Sequence, residues 1–155
     1  MNATTTTKDN LISSDQVQFS TFYVGEVLLG VDIRLVQEIN RQLDITPVPN
    51  APGHVRGVIN LRGEVATVID LRTVLGLPPA EQDRDTRNLI VHSQGEAIGL
   101  MVDRISDILT IRPDQISDSP SNVDGIDGKF FLGVHALQDT ICVLLDVEQV
   151  LADRD

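Results

Sequence analysis

The chain has 155 residues, 41% of them hydrophobic, and its 23 acidic side chains against 12 basic ones give a formal charge of −11. That length holds one domain or two small lobes sharing a core, and the charge argues against nucleic acid or an anionic membrane as the main partner. With no Trp, one Tyr and four Phe there are few rings for stacking bases, and the single cysteine, Cys142, leaves no intrachain disulfide and reads as a small buried hydrophobe.

In chain order, residues 1–15 are rich in Thr, Ser and Asn and are expected to form a flexible tail. No basic-then-apolar leader opens the chain and no apolar run approaches the ~20 residues of a span, so a cytoplasmic protein without direct membrane insertion is expected. Residues 17–24 and 27–31 read as a hairpin around Gly25-Glu26. From Ile33 the period changes: Leu35, Val36, Ile39 and Leu43 fall at helical spacing and predict a short helical turn. Three prolines within residues 46–53 then require extended or turning backbone.

Residues 57–72 predict a central hairpin, with Val58 to Leu61 and Val65 to Leu71 joined by the turn Arg62-Gly63. Neither run alternates, which suits strands covered on both faces. Arg62 and Glu64 charge its tip, and a charged, Gly-containing turn is a place for function, although an ordinary solvated turn reads the same way. Beyond it, Val74, Leu75 and Leu77 make a short apolar end, stopped by Pro78-Pro79, and residues 80–87 read as an exposed loop. Strands over 89–92 and 97–102 flank a turn at 94–96, a strand covers 105–111, and residues 113–129 are loop-rich. A last hairpin spans 130–137 and 140–146, and Val147, Val150 and Leu151 share one face of a closing helix with Asp146 as its N-cap.

The pattern repeats. Gly57-Val58, Leu61, Val65, Val68-Ile69, Asp70 and Val74-Leu75 recur 76 residues on as Gly133-Val134, Leu137, Ile141, Leu144-Leu145, Asp146 and Val150-Leu151. Gly25-Glu26 is echoed by Gly95-Glu96, Val31-Asp32 by Val102-Asp103, and residues 36–39 by 105–108. Two similar all-β lobes of about five short strands each follow from this order.

Local chemistry is sparse. His54, His92 and His135 lie far apart, none at metal-ligand spacing from another ligand type. No nucleophile elbow, phosphate loop or dinucleotide fingerprint occurs. Residues 124–128 (Asp-Gly-Ile-Asp-Gly) have the wrong spacing for a calcium loop and read as two Asp-Gly turns. Charges near Glu38 and Arg62 are worth too little as an exposed pair to matter for folding; their value would lie in positioning a partner.

Several segments resemble the motifs of one family. These are Val36-Gln37-Glu38-Ile39, Val48-Pro49 with Pro52, Gly57-Val58-Ile59-Asn60-Leu61-Arg62-Gly63 and Val68-Ile69-Asp70-Leu71-Arg72. In the second half they are Gly99, Val102-Asp103 and Ile105-Ser106-Asp107-Ile108-Leu109. Over about residues 17–152 the chain resembles the CheW family of chemotaxis coupling proteins. It departs at Thr67, where that family usually has Pro; Thr restores a backbone N–H and suits a strand.

The resemblance implies an all-β fold of two SH3-like five-stranded β-barrel subdomains around a shared core, with short helical turns and a short C-terminal helix. Residues 16–155 would form one such domain after the tail. It implies a non-enzymatic adaptor, without cofactor or metal, linking the cytoplasmic tips of chemoreceptors (methyl-accepting chemotaxis proteins) to the regulatory domain of the histidine kinase CheA. Receptors thereby control kinase autophosphorylation, in arrays beneath the inner membrane. By motif match, Val36, Glu38, Gly57, Arg62, Gly99, Ile105 and Ile108 are expected in the receptor groove or its immediate support. Ile45, Pro49 and Val55 are the expected kinase contacts. The alternatives are a scaffold of the same fold in a related kinase pathway, such as surface motility, and, from another class, a small hydrolase.

Overall fold

The computed structural model describes residues 15–41 and 44–152, so the tail expected over 1–15 lies outside the described residues except for Asp15. Its strands are β1 (Val17–Val24), β2 (Val27–Asp32), β3 (Val36–Asn40), β4 (Val55–Leu61), β5 (Glu64–Asp70), β6 (Arg87–Ser93), β7 (Glu96–Val102) and β8 (Arg104–Ile111). A small hairpin, β9 (Asn122–Val123) and β10 (Ile126–Asp127), precedes β11 (Phe131–Ala136) and β12 (Ile141–Leu145). Two short helices, α1 (Leu71–Leu75) and α2 (Val147–Ala152), follow β5 and β12.

Ten of these strands make two five-stranded sheets. The first runs β11-β12-β2-β1-β8 and the second β4-β5-β7-β6-β3. Each contains one parallel pair, β12 beside β2 and β5 beside β7, among antiparallel neighbours. The repeat is exchanged between the sheets. Hairpin β1–β2 of the first copy joins β8, β11 and β12 of the second, and hairpin β6–β7 of the second joins β3, β4 and β5 of the first. The chain crosses from the first sheet to the second through a 3-10 turn at Ile33–Leu35, and returns at Asp103.

This exchange explains why the strands do not alternate. One face of most central strands meets a core shared by both sheets; the other meets a cluster private to its own sheet. In β5, Ile69 enters the shared core while Ala66 and Val68 enter the second sheet's own cluster. In β12, Val143 and Leu145 face the shared core, and Cys142 and Leu144 join Phe19, Leu28 and Ile111 in the first sheet's cluster. A strand covered on both faces is apolar at consecutive positions. Double coverage therefore holds for β5 from Ala66 onward. It does not hold for β4, an edge strand that alternates, nor for Val65, which is 59% exposed.

Both helices seal the shared core, with Leu71, Val74 and Leu75 from α1 and Val147, Val150 and Leu151 from α2. Leu71 and Arg72 thus open a helix where strand was expected, because the Asp70 side chain accepts the Arg72 N–H as an N-cap. Asp146 does the same for α2, accepting from Gln149 N–H at 3.3 Å.

The helical turn expected from Ile33 onward shrinks to Ile33–Leu35; Val36 to Asn40 is strand, and Leu43 lies outside the described residues. β3 pairs with β6 through a bulge between Val36 and Glu38. Cross-strand pairing on a waiting sheet edge outweighs the weak local helical preference of Val and Ile.

Neither five-stranded ladder closes into a continuous barrel. The segment after β3 turns back to the opposite edge through one bridge, in which Thr46 N–H donates to Val58 O at 3.0 Å and Val58 N–H to Thr46 O at 2.8 Å. Ser117 and Val134 repeat this bridge between β8 and β11 at 2.7 and 3.0 Å.

Candidate partner-binding site

The β4–β5 turn is Arg62-Gly63, with φ of 52° and 93°. Two successive left-handed residues give a tight turn whose twist suits the flanking strands. Asn60 Oδ1 accepts the Gly63 N–H at 2.9 Å and pins it. From this turn Arg62 Nη2 reaches across to β3 and donates to the Glu38 carboxylate. That hydrogen bond holds the Glu38 carboxyl below the usual range and raises Arg62 above its own. The pair is solvent-facing, with the Arg62 side chain 72% exposed and Glu38 the better sheltered partner. On the far side of the turn, Glu64 Oε2 lies 3.3 Å from His92 Nε2. The two charges singled out in sequence, 24 residues apart, are thus in contact.

Val36 and Ile105 are equivalent in the repeat. Each lies just past a sheet crossing and packs half-buried against the shared core. Ile39 and Ile108, also equivalent, are exposed. Ile108 lines a cleft of about 210 Å³ with Thr21, Leu28, Leu109, Leu137 and Cys142. The cleft forms where side chains of β1, β2, β8 and β12 meet Leu137 of the β11–β12 turn, a juxtaposition that no single stretch of the chain encodes.

Gly57 and Gly99 are packing positions. A Cβ on Gly57, which has φ of 145°, would lie 2.1 Å from Thr46 O, so the bridge that joins the sheet edges leaves no room for a side chain. A Cβ on Gly99 would sit 3.3 Å from Ile90 Cδ1, in the second sheet's own cluster. Ile45 packs half-buried against that cluster, Val55 is half-buried opposite Ile69, and Pro49 is exposed.

Other groups have local duties. Burial pushes the Cys142 thiol up to about 12, so it stays protonated at neutral pH and acts as a hydrophobe. His135 Nδ1 is 2.8 Å from Gln115 O. Asp124-Gly125 is the turn of the β9–β10 hairpin, whereas Asp127 accepts the Lys129 N–H and caps a 3-10 turn, so only the first Asp-Gly is a turn. Among the described residues, no group of three or more His, Cys, Asp or Glu could hold a metal ion.

A half-buried Val36 two residues before the Glu38 of an exposed ion pair, on a fold stiffened by a doubly covered core, is a surface suited to contact with another protein, which points to the class of protein-binding scaffolds. The CheW-like domain family matches residues 18–155, and the chain belongs to that family, as a chemotaxis scaffold or adaptor. It is 35% identical over 136 residues to the chemotaxis protein CheW of Rhizobium meliloti, covering 86% of each chain. Identity to the CheW of Klebsiella aerogenes is 30% over 138 residues, covering 89% of this chain and 83% of that one. In three dimensions it resembles the crystal structure of the scaffolding protein TtCheW from Thermoanaerobacter tengcongensis, with a TM-score of 0.77, 31% identity and 84% of each chain covered.

Proposed function

We propose that this scaffold couples the cytoplasmic tips of chemoreceptors to the histidine kinase CheA, catalysing no reaction of its own. The observation that carries this reading is the Glu38–Arg62 pair on an exposed turn, with Val36 two residues before Glu38 on β3. A helical partner needs an apolar trough and a few charges to set its register. Val36, Ile105 and Ile108 supply the first and the pair the second, with Gly57 and Gly99 supporting from beneath. Ile45, Pro49 and Val55 are the kinase-facing residues, bound to its regulatory domain. No helix among the described residues is long and apolar enough to cross a membrane; the chain works from the cytoplasm, held in receptor arrays by its partners. Weak single contacts become effective there through multivalency.

The test is kinase autophosphorylation reconstituted from receptor, kinase and this protein. Stimulation should require the protein and fall by about tenfold with Arg62→Asp, which places two carboxylates in opposition. Unchanged coupling by a folded Arg62→Asp protein removes that residue from the site. Failure to bind a kinase regulatory domain removes the coupling function itself.

A further inference from the structure

Two motif residues so far without a role meet at the second sheet crossing. Arg72, on α1, faces Asp103 with both ends of its guanidinium: Nη2 lies 2.5 Å from Asp103 Oδ2 and Nε 3.2 Å from Oδ1. Its Nη1 donates to Pro78 O at 2.8 Å. Asp103 Oδ2 also accepts the Gly25 N–H at 2.6 Å, from the turn between β1 and β2. The Asp103 N–H donates to Tyr23 O at 3.0 Å, and Arg104 lies over the Tyr23 ring, 3.9 Å from its centre. One carboxylate therefore ties a helix that follows the second sheet to a turn of the first, at the residue where the chain changes sheet. The Arg72 side chain is only 17% exposed, which strengthens a bidentate contact relative to one in open water.

The first crossing, its equivalent in the repeat, lacks this tie. Asp32 is satisfied by Arg34, two residues on, through its N–H at 2.9 Å and its guanidinium at 3.1 and 2.7 Å. Where the first copy has Arg72, the second has Glu148, whose carboxylate accepts from Ser93 Oγ at 3.2 Å. Asp32 and Glu148 are both acidic and cannot pair as Arg72 and Asp103 do, so the second copy's residues offer no such clamp at the first crossing.

We infer that Arg72 and Asp103 are positioning residues: together they clamp the start of β8 and so set where Ile105, two residues on, and Ile108 present themselves to a helical partner. Their part in receptor binding rests on the coupling function proposed above. Hydrogen exchange compares the wild type with Arg72→Ala, Asp103→Asn and the double variant. Exchange across β8 should rise about tenfold in each single variant and no further in the double, while β6 stays within twofold of wild type. Arg72→Lys keeps the charge but not the fork, and should fall between. Receptor-tip affinity should drop about tenfold in Arg72→Ala while binding of the kinase regulatory domain, on the second sheet, holds within twofold.

Asp103→Asn is isosteric and carries the same comparison if Arg72→Ala does not fold. Unchanged β8 exchange in a folded variant, additive effects in the double, or equal loosening of both sheets would each overturn the clamp. A wild-type chain that binds no receptor tip fails the coupling function; the exchange pattern still decides the clamp.

Discussion

The two copies of the β-hairpin close their sheets alike and finish differently. Gly57 and Gly133 stand at equivalent places, each beneath a bridging strand segment that a Cβ would strike. Past that point the copies diverge. In the first, Leu61 is buried and Arg62 lies across Glu38. In the second, Leu137 is 37% exposed, Gln138-Asp139 takes the place of Arg62-Gly63, and a cleft remains between the turn and β8. Asp107, at the position of Glu38, offers its backbone carbonyl to Thr21 Oγ1. A duplicated frame keeps what closure requires and leaves its tips free to specialise.

The largest effect that would break the comparison lies at the glycines. Gly57→Ala forces a methyl group to within 2.1 Å of Thr46 O at a φ of 145°, so the bridge must open. A loss of about 3–5 kcal/mol is expected, read as a drop of about 10 °C in the thermal midpoint. Gly133→Ala meets Ile116 Cγ2 at 2.5 Å and Ser117 O at 2.6 Å, and should cost less because one of those atoms can swing away. A Gly57→Ala protein melting within a degree of wild type would show that this bridge does not close the sheet.

Next in size is the contrast between the two leucines. Leu61→Ala empties part of the second sheet's own cluster and should cost about 2–4 kcal/mol, whereas Leu137→Ala, at a side chain already more than a third exposed, should cost about 1 kcal/mol or less. Equal costs in denaturant unfolding would mean that the second tip is packed as tightly as the first.

Most strands were legible because their apolar runs were bounded by Gly and Pro, and the repeat was legible because closure and capping use the same residue types twice. The exchange of hairpins between sheets was not legible. Val27 to Val31 reads the same whichever copy it pairs with, and the partner choice is made by the shared core. β3 reads as helix in the sequence because Leu35, Val36 and Ile39 satisfy a helical spacing, while the competing pairing with β6 is 48 residues away at Asn40 and Asn88. At the site, Glu38 and Arg62 stand out in the sequence as charges that could position a partner, but nothing local brings residue 38 to residue 62. The Arg72–Asp103 contact is illegible for the same reason, since 31 residues separate the two motifs that carry it.

The smallest effect sharpens the comparison most directly, because it concerns a single proton at the tip that has the ion pair. The hydrogen bond from Arg62 depresses the Glu38 carboxyl below its ordinary value of 4.5. A depressed carboxyl stabilises the paired state at pH values above the unfolded value, and that contribution is lost as pH falls through the lowered folded value. The pair should therefore be intact at neutral pH and open only in acid below 4.5. Being exposed and screened by salt, it should leave the unfolding midpoint unchanged within error, so the readout must be site-resolved. In an NMR titration of the side-chain carboxyl, Glu38 should titrate below 4.5 in the wild type and return toward it in Arg62→Gln or at high salt. A midpoint indifferent to both would mean that Arg62 does not rest on Glu38 in solution, and that the contrast between the two tips does not extend to an ion pair.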